Sequence, residues 1–285
     1  MRILTKAHAK WLLMLVLAII PAAEFGLRLA GATSFPLYRV DSAIGYYPAP
    51  SQQGALFRRN DWAVNAQSMG TARPFSPTAD AVLLVGDSIV FGGNPFRQKD
   101  KLGPQLEQVA KVPVYPLAAG GWSLNNELAM MRAHPEWLAT PTIVWVSESG
   151  DFGELATHSS ALQWPDHPPV SALAYYAQKY VLKPKDVVMS PVTAEATRRW
   201  QANLDWFLQH YHGRLIWVLY PLRKEVGQPL PAAFAPLLAR LQGRAEIVTI
   251  ARDPLWKDAL YRDTEIHPSV EGNRVLAEII ARHLR

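Results

Sequence analysis

From Ala81 onward, short apolar runs alternate with longer stretches of helical periodicity. The runs fall at residues 81–85 (AVLLV), 112–117 (VPVYPL), 142–147 (TIVWVS), 214–220 (RLIWVLY) and 246–250 (EIVTI). They are rich in β-branched and aromatic residues and lack a clean polar alternation. That pattern predicts strands covered on both faces. Between and after them, residues 100–111, 123–139, 193–211, 231–243 and 270–284 predict helices. A repeated strand–helix rhythm predicts a parallel sheet between two helical layers, joined by right-handed crossovers: an α/β fold built as a three-layer α/β/α sandwich.

Two regions depart from this rhythm. Residues 34–80 carry Phe35-Pro36, Tyr46-Tyr47-Pro48-Ala49-Pro50 and Arg73-Pro74-Phe75-Ser76-Pro77, so this lead-in is expected to be irregular, with a short strand or two, and to pack on the main domain. Residues 152–192 contain Trp164-Pro165-Asp166-His167-Pro168-Pro169 and then a helix-like SALAYYAQKYVL. Such an insertion either overhangs an active site or is a surface excursion.

The N-terminus adds a third texture. Arg2, Lys6 and Lys10 precede an apolar run from Trp11 to Ala23, after which Glu24 and Arg28 interrupt a weaker stretch. A basic flank stays cytoplasmic and sends the rest of the chain outward. The run to Gly31 spans a bilayer if Glu24 and Arg28 sit at the outer interface. The expectation is therefore a signal anchor over 1–33, a lead-in over 34–80 and a catalytic domain over 81–285. The protein would be single-pass in a bacterial inner membrane, its domain facing the periplasm or the outside. Ala30-Gly31-Ala32 has the small-x-small form of a cleavage site and keeps signal-peptide removal as the alternative.

Composition narrows the function classes. The chain is 49% hydrophobic and 19% charged, which suits a packed core. Its net charge of +5 comes from scattered residues rather than a basic run, so nucleic acid is not an expected partner. The absence of cysteine excludes disulfides, thiolate metal sites and cysteine nucleophiles. There is no Gly-x-Ser-x-Gly elbow, no Walker loop and no Gly-x-Gly-x-x-Gly. His158, Asp166 and His167 lack metal-ligand spacing, so no metal or cofactor is expected. Trp145 and Trp217 read as core. Trp122 and Trp164 lie in predicted loops, where they either pack or stack on a sugar ring.

The residues that carry chemistry lie at the two ends of the main domain. Ser88 follows the first main strand in VLLVGDSIVFGG, on the carboxyl edge of the sheet where ligands bind in parallel α/β folds. Its amide, at the start of the next element, is placed to donate to an oxyanion. His267 stands just before the terminal helix in DTEIHPSVEGNRVLAEII, with Ser269 as the expected cap and Asp263 and Glu265 close by. A serine nucleophile needs such a base, and a carboxylate to orient it.

Together the two segments resemble the SGNH hydrolases, also called GDSL esterases and lipases, over residues 80–285. Gly86-Asp87-Ser88 matches that family's first block. His267 and Asp263 match its final Asp-x-x-His, and HPSVEGNRVLAE is similar to the stretch that follows. The resemblance implies a flavodoxin-like sandwich and a triad of Ser88, His267 and Asp263. It also implies an oxyanion hole from the amides of Ser88 and Gly121, with Gly120 as second choice, and a residue at position 150. Two positions depart from the pattern. Gly150 stands where the family has an asparagine, in Glu148-Ser149-Gly150-Asp151, so a side-chain donor is missing; Ser149, Asn125 and Asn126 are candidate substitutes. Strict spacing puts Thr264 where the aspartate belongs, so Asp263 requires a one-residue loop adjustment and Glu265 is the reserve. The implied activity is a serine esterase or deacetylase acting on an acyl ester, such as an acylated cell-envelope carbohydrate. The alternatives are an O-acyltransferase working beside a multi-spanning partner, and a non-catalytic polysaccharide- or partner-binding protein.

Overall fold

The computed structural model describes residues 6–182, 191–262 and 265–285. The chain opens with a helix, α1 (Lys6–Leu29), and two antiparallel hairpins: β1 (Tyr38–Asp41) with β2 (Gly45–Pro48), and β3 (Gln52–Leu56) with β4 (Asn60–Val64). A five-stranded sheet follows, formed by β5 (Val82–Gly86), β6 (Val114–Ala118), β7 (Thr142–Ser147), β8 (Arg214–Leu219) and β9 (Glu246–Thr249). Its order is β6-β5-β7-β8-β9 and every pairing is parallel. The helices are α2 (Ser88–Phe91), α3 (Leu102–Ala110), α4 (Leu124–Ala133), α5 (Ala172–Tyr176), α6 (Ala194–His210), α7 (Ala235–Leu241) and α8 (Val270–Arg282).

Alternate residues of each strand serve opposite layers. Val82, Leu84, Val144, Val146, Ile216 and Val218 pack with Leu102 and Leu106 of α3 and with Val275, Leu276, Ile279 and Ile280 of α8. Leu83, Val85, Ile143, Trp145, Leu215 and Trp217 pack with Leu128 and Met131 of α4 and with Trp200, Leu204 and Phe207 of α6. Burial on both sides is why these strands read as continuous apolar runs. Trp145 and Trp217 sit on neighbouring strands with rings parallel at 4.7 Å. The predicted helix over 123–139 is two elements, because Pro135 stops α4 at Ala133 and starts a 3₁₀ turn over Pro135–Ala139.

The lead-in contains more strand than its prolines suggest. Asp41 Oδ1 accepts from the amides of Ala43 and Ile44 at 2.7 and 3.0 Å and closes the first hairpin, while Phe57 and Arg58 turn the second at positive φ. Its prolines lie at strand ends or outside strands, where no ladder amide is needed. Tyr38, Ile44, Tyr46 and Met69 enter the same core as Leu83 and Val85.

The expectation of a membrane-spanning helix needs correction at this level. The N-terminal segment is helical, but among the described residues no helix is long and apolar enough to cross a membrane. Pro21, Glu24 and Arg28 interrupt α1, and the two charges are engaged by the protein itself. The Glu24 carboxylate accepts from the Ala172 and Leu173 amides and the Ser171 hydroxyl, all at 2.9 Å, at the start of α5. Arg28 donates to the carbonyls of Pro169 and Val170 at 3.1 and 2.7 Å.

Candidate active site

β5 lies between β6 and β7, so the chain leaves it first to one side and then to the other. Parallel sheets open a crevice at such a switch point, beyond the strands' carboxyl ends. Gly86 ends β5 where no side chain fits: a Cβ there would stand 2.6 Å from Val90 Cγ2 and 3.0 Å from the Val146 carbonyl oxygen. Asp87 then caps α2, its Oδ1 accepting from the Ile89 amide at 2.9 Å. The next residue, Ser88, is thereby held at the head of a one-turn helix with its hydroxyl in the crevice.

At the other end of the chain, Ser269 caps α8 by accepting from the Gly272 amide at 3.0 Å. Pro268 bridges to Tyr261, and the Arg262 amide donates to the His267 carbonyl at 3.0 Å. These ties turn the imidazole toward β5, and His267 Nε2 lies 3.0 Å from Ser88 Oγ across 179 residues of sequence. The same hydroxyl donates to Asp87 Oδ2 at 3.1 Å, so its single proton faces two acceptors. Burial pushes the Asp87 carboxyl above its ordinary range, opposed by the Ile89 amide, the Ser88 hydroxyl and His267. Asp263 and Thr264 lie outside the described residues. Glu265 is exposed, and its carbonyl accepts from the Arg223 amide at 2.8 Å.

Gly121 follows β6 at φ +77°, a conformation that favours glycine. The carbonyl of Gly120 accepts from the Tyr46 hydroxyl and from the Trp164 indole, each at 2.8 Å. In a trans peptide the N–H points opposite to the C=O, so these two bonds aim the Gly121 amide away from Tyr46 and Trp164. Among the described residues that amide has no hydrogen-bond partner. Trp122 and Trp164 are both buried, with indole nitrogens committed to the carbonyls of Tyr46 and Gly120, so they position this loop.

The loop after β7 is arranged differently from its expected role. The Gly150 amide donates to Glu148 Oε2 at 2.7 Å, and the Glu148 amide to Asp151 Oδ2 at 2.7 Å. None of the three candidate substitutes for the missing asparagine is available. Ser149 donates its hydroxyl to Glu225 Oε1 at 2.6 Å. Asn125 is fully buried and donates to the carbonyls of Gly153 and Ala196; Asn126 is also buried and donates to those of Ile44 and Ala156. The residue that sequence reasoning passed over is Glu148. It is 2% exposed, and burial together with the nearby Asp87 raises its carboxyl to about 7. An acid directly after a buried strand with an apolar centre, Ile143 to Val146, was its signal.

Ser88, Gly121 and Trp164 border two cavities. One, of about 410 Å³, is also lined by Asp87, Glu148, Gly150 and Ile266. The other, of about 390 Å³, is also lined by Tyr38, Phe91, Phe96 and His267. Among the described residues no group of His, Asp and Glu is placed to hold a metal ion. The arrangement offers a hydroxyl beside a base, an unpartnered amide, and two cavities lined by that hydroxyl's residue.

No protein-family model matches the chain, and no curated protein matches it. Among solved structures it is similar to a lipase/acylhydrolase from Enterococcus faecalis, with 13% identity and a TM-score of 0.44 over 72% of this chain and 94% of that one. It is also similar to a GDSL-like lipase from Bacteroides thetaiotaomicron, at 12% identity and a TM-score of 0.43, covering 75% and 91%. A psychrotrophic esterase from a Pseudoalteromonas species gives 13% identity and a TM-score of 0.42, covering 71% and 95%. At this level of likeness, the chemistry has to be read from the chain's own side chains.

Proposed function

We propose that the protein is a serine-dependent esterase that forms an acyl-enzyme on Ser88. The observation that carries this is the 3.0 Å approach of His267 Nε2 to Ser88 Oγ, with Ser88 lining both cavities and His267 one of them. His267 takes the hydroxyl proton as Ser88 Oγ bonds to the ester carbonyl carbon. The amides of Ser88 and Gly121 hold the oxyanion. When the carbon–oxygen bond to the leaving group breaks, His267 returns the proton to the departing alkoxide. Water, deprotonated by the same imidazole, then attacks the acyl carbon, and the acid leaves as Ser88 regains its proton. Asp263 is proposed as the carboxylate that orients His267.

The two cavities that Ser88 lines also leave room for a sugar hydroxyl in place of water, which would make the enzyme an O-acyltransferase for a cell-envelope polysaccharide. Release of p-nitrophenol from p-nitrophenyl acetate, compared with Ser88→Ala, is the test. Equal rates would sink acyl chemistry at Ser88 and leave a binding role for the crevice. An oligosaccharide that captures the acyl group in competition with water would move the assignment from hydrolysis to transfer.

Membrane attachment through α1 belongs to the same proposal. Trp11, Met14, Leu15, Leu17, Ile19 and Ile20 are all at least half exposed on this helix, behind a basic flank, which suits burial of its apolar side in a membrane surface. Recovery of the full chain in the soluble fraction of cells would refute it.

A further inference from the structure

We propose that Glu148 is a third oxyanion-hole donor: a neutral carboxylic acid, fixed on the loop after β7, that hydrogen-bonds the developing oxyanion in place of an asparagine amide. The inference rests on the acyl chemistry proposed for Ser88.

Four observations meet on this residue. Glu148 lines the same cavity as Ser88 and Gly121. The three residues considered in place of the missing asparagine are occupied: Ser149 by Glu225, and Asn125 and Asn126 by backbone carbonyls. The carboxyl is held in place from its own loop, because Gly150 donates to Oε2 and Asp151 fixes the Glu148 amide. Finally, among the described residues no Lys, Arg or His forms an ion pair with it.

The groups that face it are acids or phenols. Asp87 approaches from the end of β5, Glu127 from α4, Asp151 from the same loop, and Glu225 and Tyr220 from beyond β8. His267 Nε2 lies 3.0 Å from Ser88 Oγ and lines the other cavity, not the one that Glu148 lines. An ionised Glu148 would repel a growing negative charge on the substrate. A protonated one donates to it, as buried neutral carboxylic acids can. Burial and Asp87 hold the carboxyl protonated up to about pH 7. The donor form therefore exists below that pH and is lost above it. The alkaline side of the kcat profile then belongs to Glu148.

The test uses the full-length protein and p-nitrophenyl acetate from pH 5 to 9. Glu148→Ala is expected to lower kcat about a hundred- to a thousandfold with KM little changed. Glu148→Gln carries a permanent N–H donor. It is expected to stay within about tenfold of wild type at pH 6 and to lose the alkaline limb, overtaking wild type above pH 8. A limb that persists in Glu148→Gln, or a Glu148→Ala enzyme that keeps wild-type kcat, would overturn the assignment. Thermal melts of both variants separate a lost donor from a lost fold, since rescue by Gln at an unchanged melting temperature is not expected of a packing residue. Ser88→Ala is run alongside. If it retains wild-type turnover, the acyl chemistry has failed at its root, whereas a dead Ser88→Ala with an indifferent Glu148 sinks the donor alone.

Discussion

The loops that leave β5 and β7 begin alike and do opposite things with their acids. Both follow buried neighbouring strands, both open on the same edge of the sheet, and both contain glycine, serine and aspartate. After β5, Asp87 turns outward along the chain, caps α2 and presents Ser88. After β7, Glu148 likewise accepts from the amide two residues ahead, but Asp151 turns back onto the Glu148 amide, no helix starts, and Ser149 is tied to Glu225. Residue type alone therefore does not assign a role at this edge. What separates the loops is the second acid: Asp151 closes the β7 loop on itself, whereas the β5 loop runs on into α2 and presents a hydroxyl.

The largest effect expected from breaking the β5 side is on turnover. His267→Ala should lower kcat by about a thousandfold or more, as should Ser88→Ala, and the double variant should be no worse than either single one. Residues that share one proton transfer fail together. Additive losses, measured as kcat on p-nitrophenyl acetate, would show that the two side chains act separately despite their 3.0 Å approach.

The β7 side should instead declare itself in stability. Asp87, Glu127, Glu148 and Asp151 all have carboxyls raised by burial, so folding holds protons that the unfolded chain releases. Their contribution is fully present below the ordinary carboxylate range and is lost as pH rises through the folded values. For Glu148 the rise from 4.5 to about 7 corresponds to about 3 kcal/mol of stability lost by alkaline pH. Denaturant midpoints should fall between pH 5 and 8.5, and Glu148→Gln should fall less. A wild-type midpoint that climbs over this range would mean the acids are ionised and paired in the folded state.

The same contrast explains what was legible in the sequence. The five strands and the helices after Ala81 were readable because strands covered on both faces leave long apolar runs. The Ser88 and His267 loops were readable because each is a local device: a cap, a tight glycine and a short helix start. The lead-in hairpins were not, since their turns are set by the Asp41 side chain and by positive φ at Phe57 and Arg58, in a segment whose prolines suggest irregular chain. The partners of Asn125, Asn126 and Ser149 were hidden as well. Each hydrogen-bonds to a group at least 28 residues away, and no spacing rule reports such a contact. Glu148 was visible as a residue, but its environment is set by acids from three other segments.

The smallest expected effect sharpens the comparison at β6, the third loop of this edge. Gly121 works through its backbone, so its contribution should respond to shape and hardly to charge. A Cβ at Gly121 would stand 3.0 Å from the Tyr46 hydroxyl and 3.1 Å from Trp164 Cζ2, on a backbone at φ +77°. Those are the two side chains that orient the Gly120 carbonyl, and with it the Gly121 amide. Gly121→Ala should thus cost about 1–2 kcal/mol of stability from the left-handed backbone alone. It should also lower kcat by roughly tenfold as the amide swings off its line. Gly120→Ala is the paired control, because a Cβ there meets nothing within 4 Å. Its kcat should stay near wild type. If instead Gly120→Ala is the damaging change and Gly121→Ala is silent, the donor in this loop is not the amide that Tyr46 and Trp164 aim.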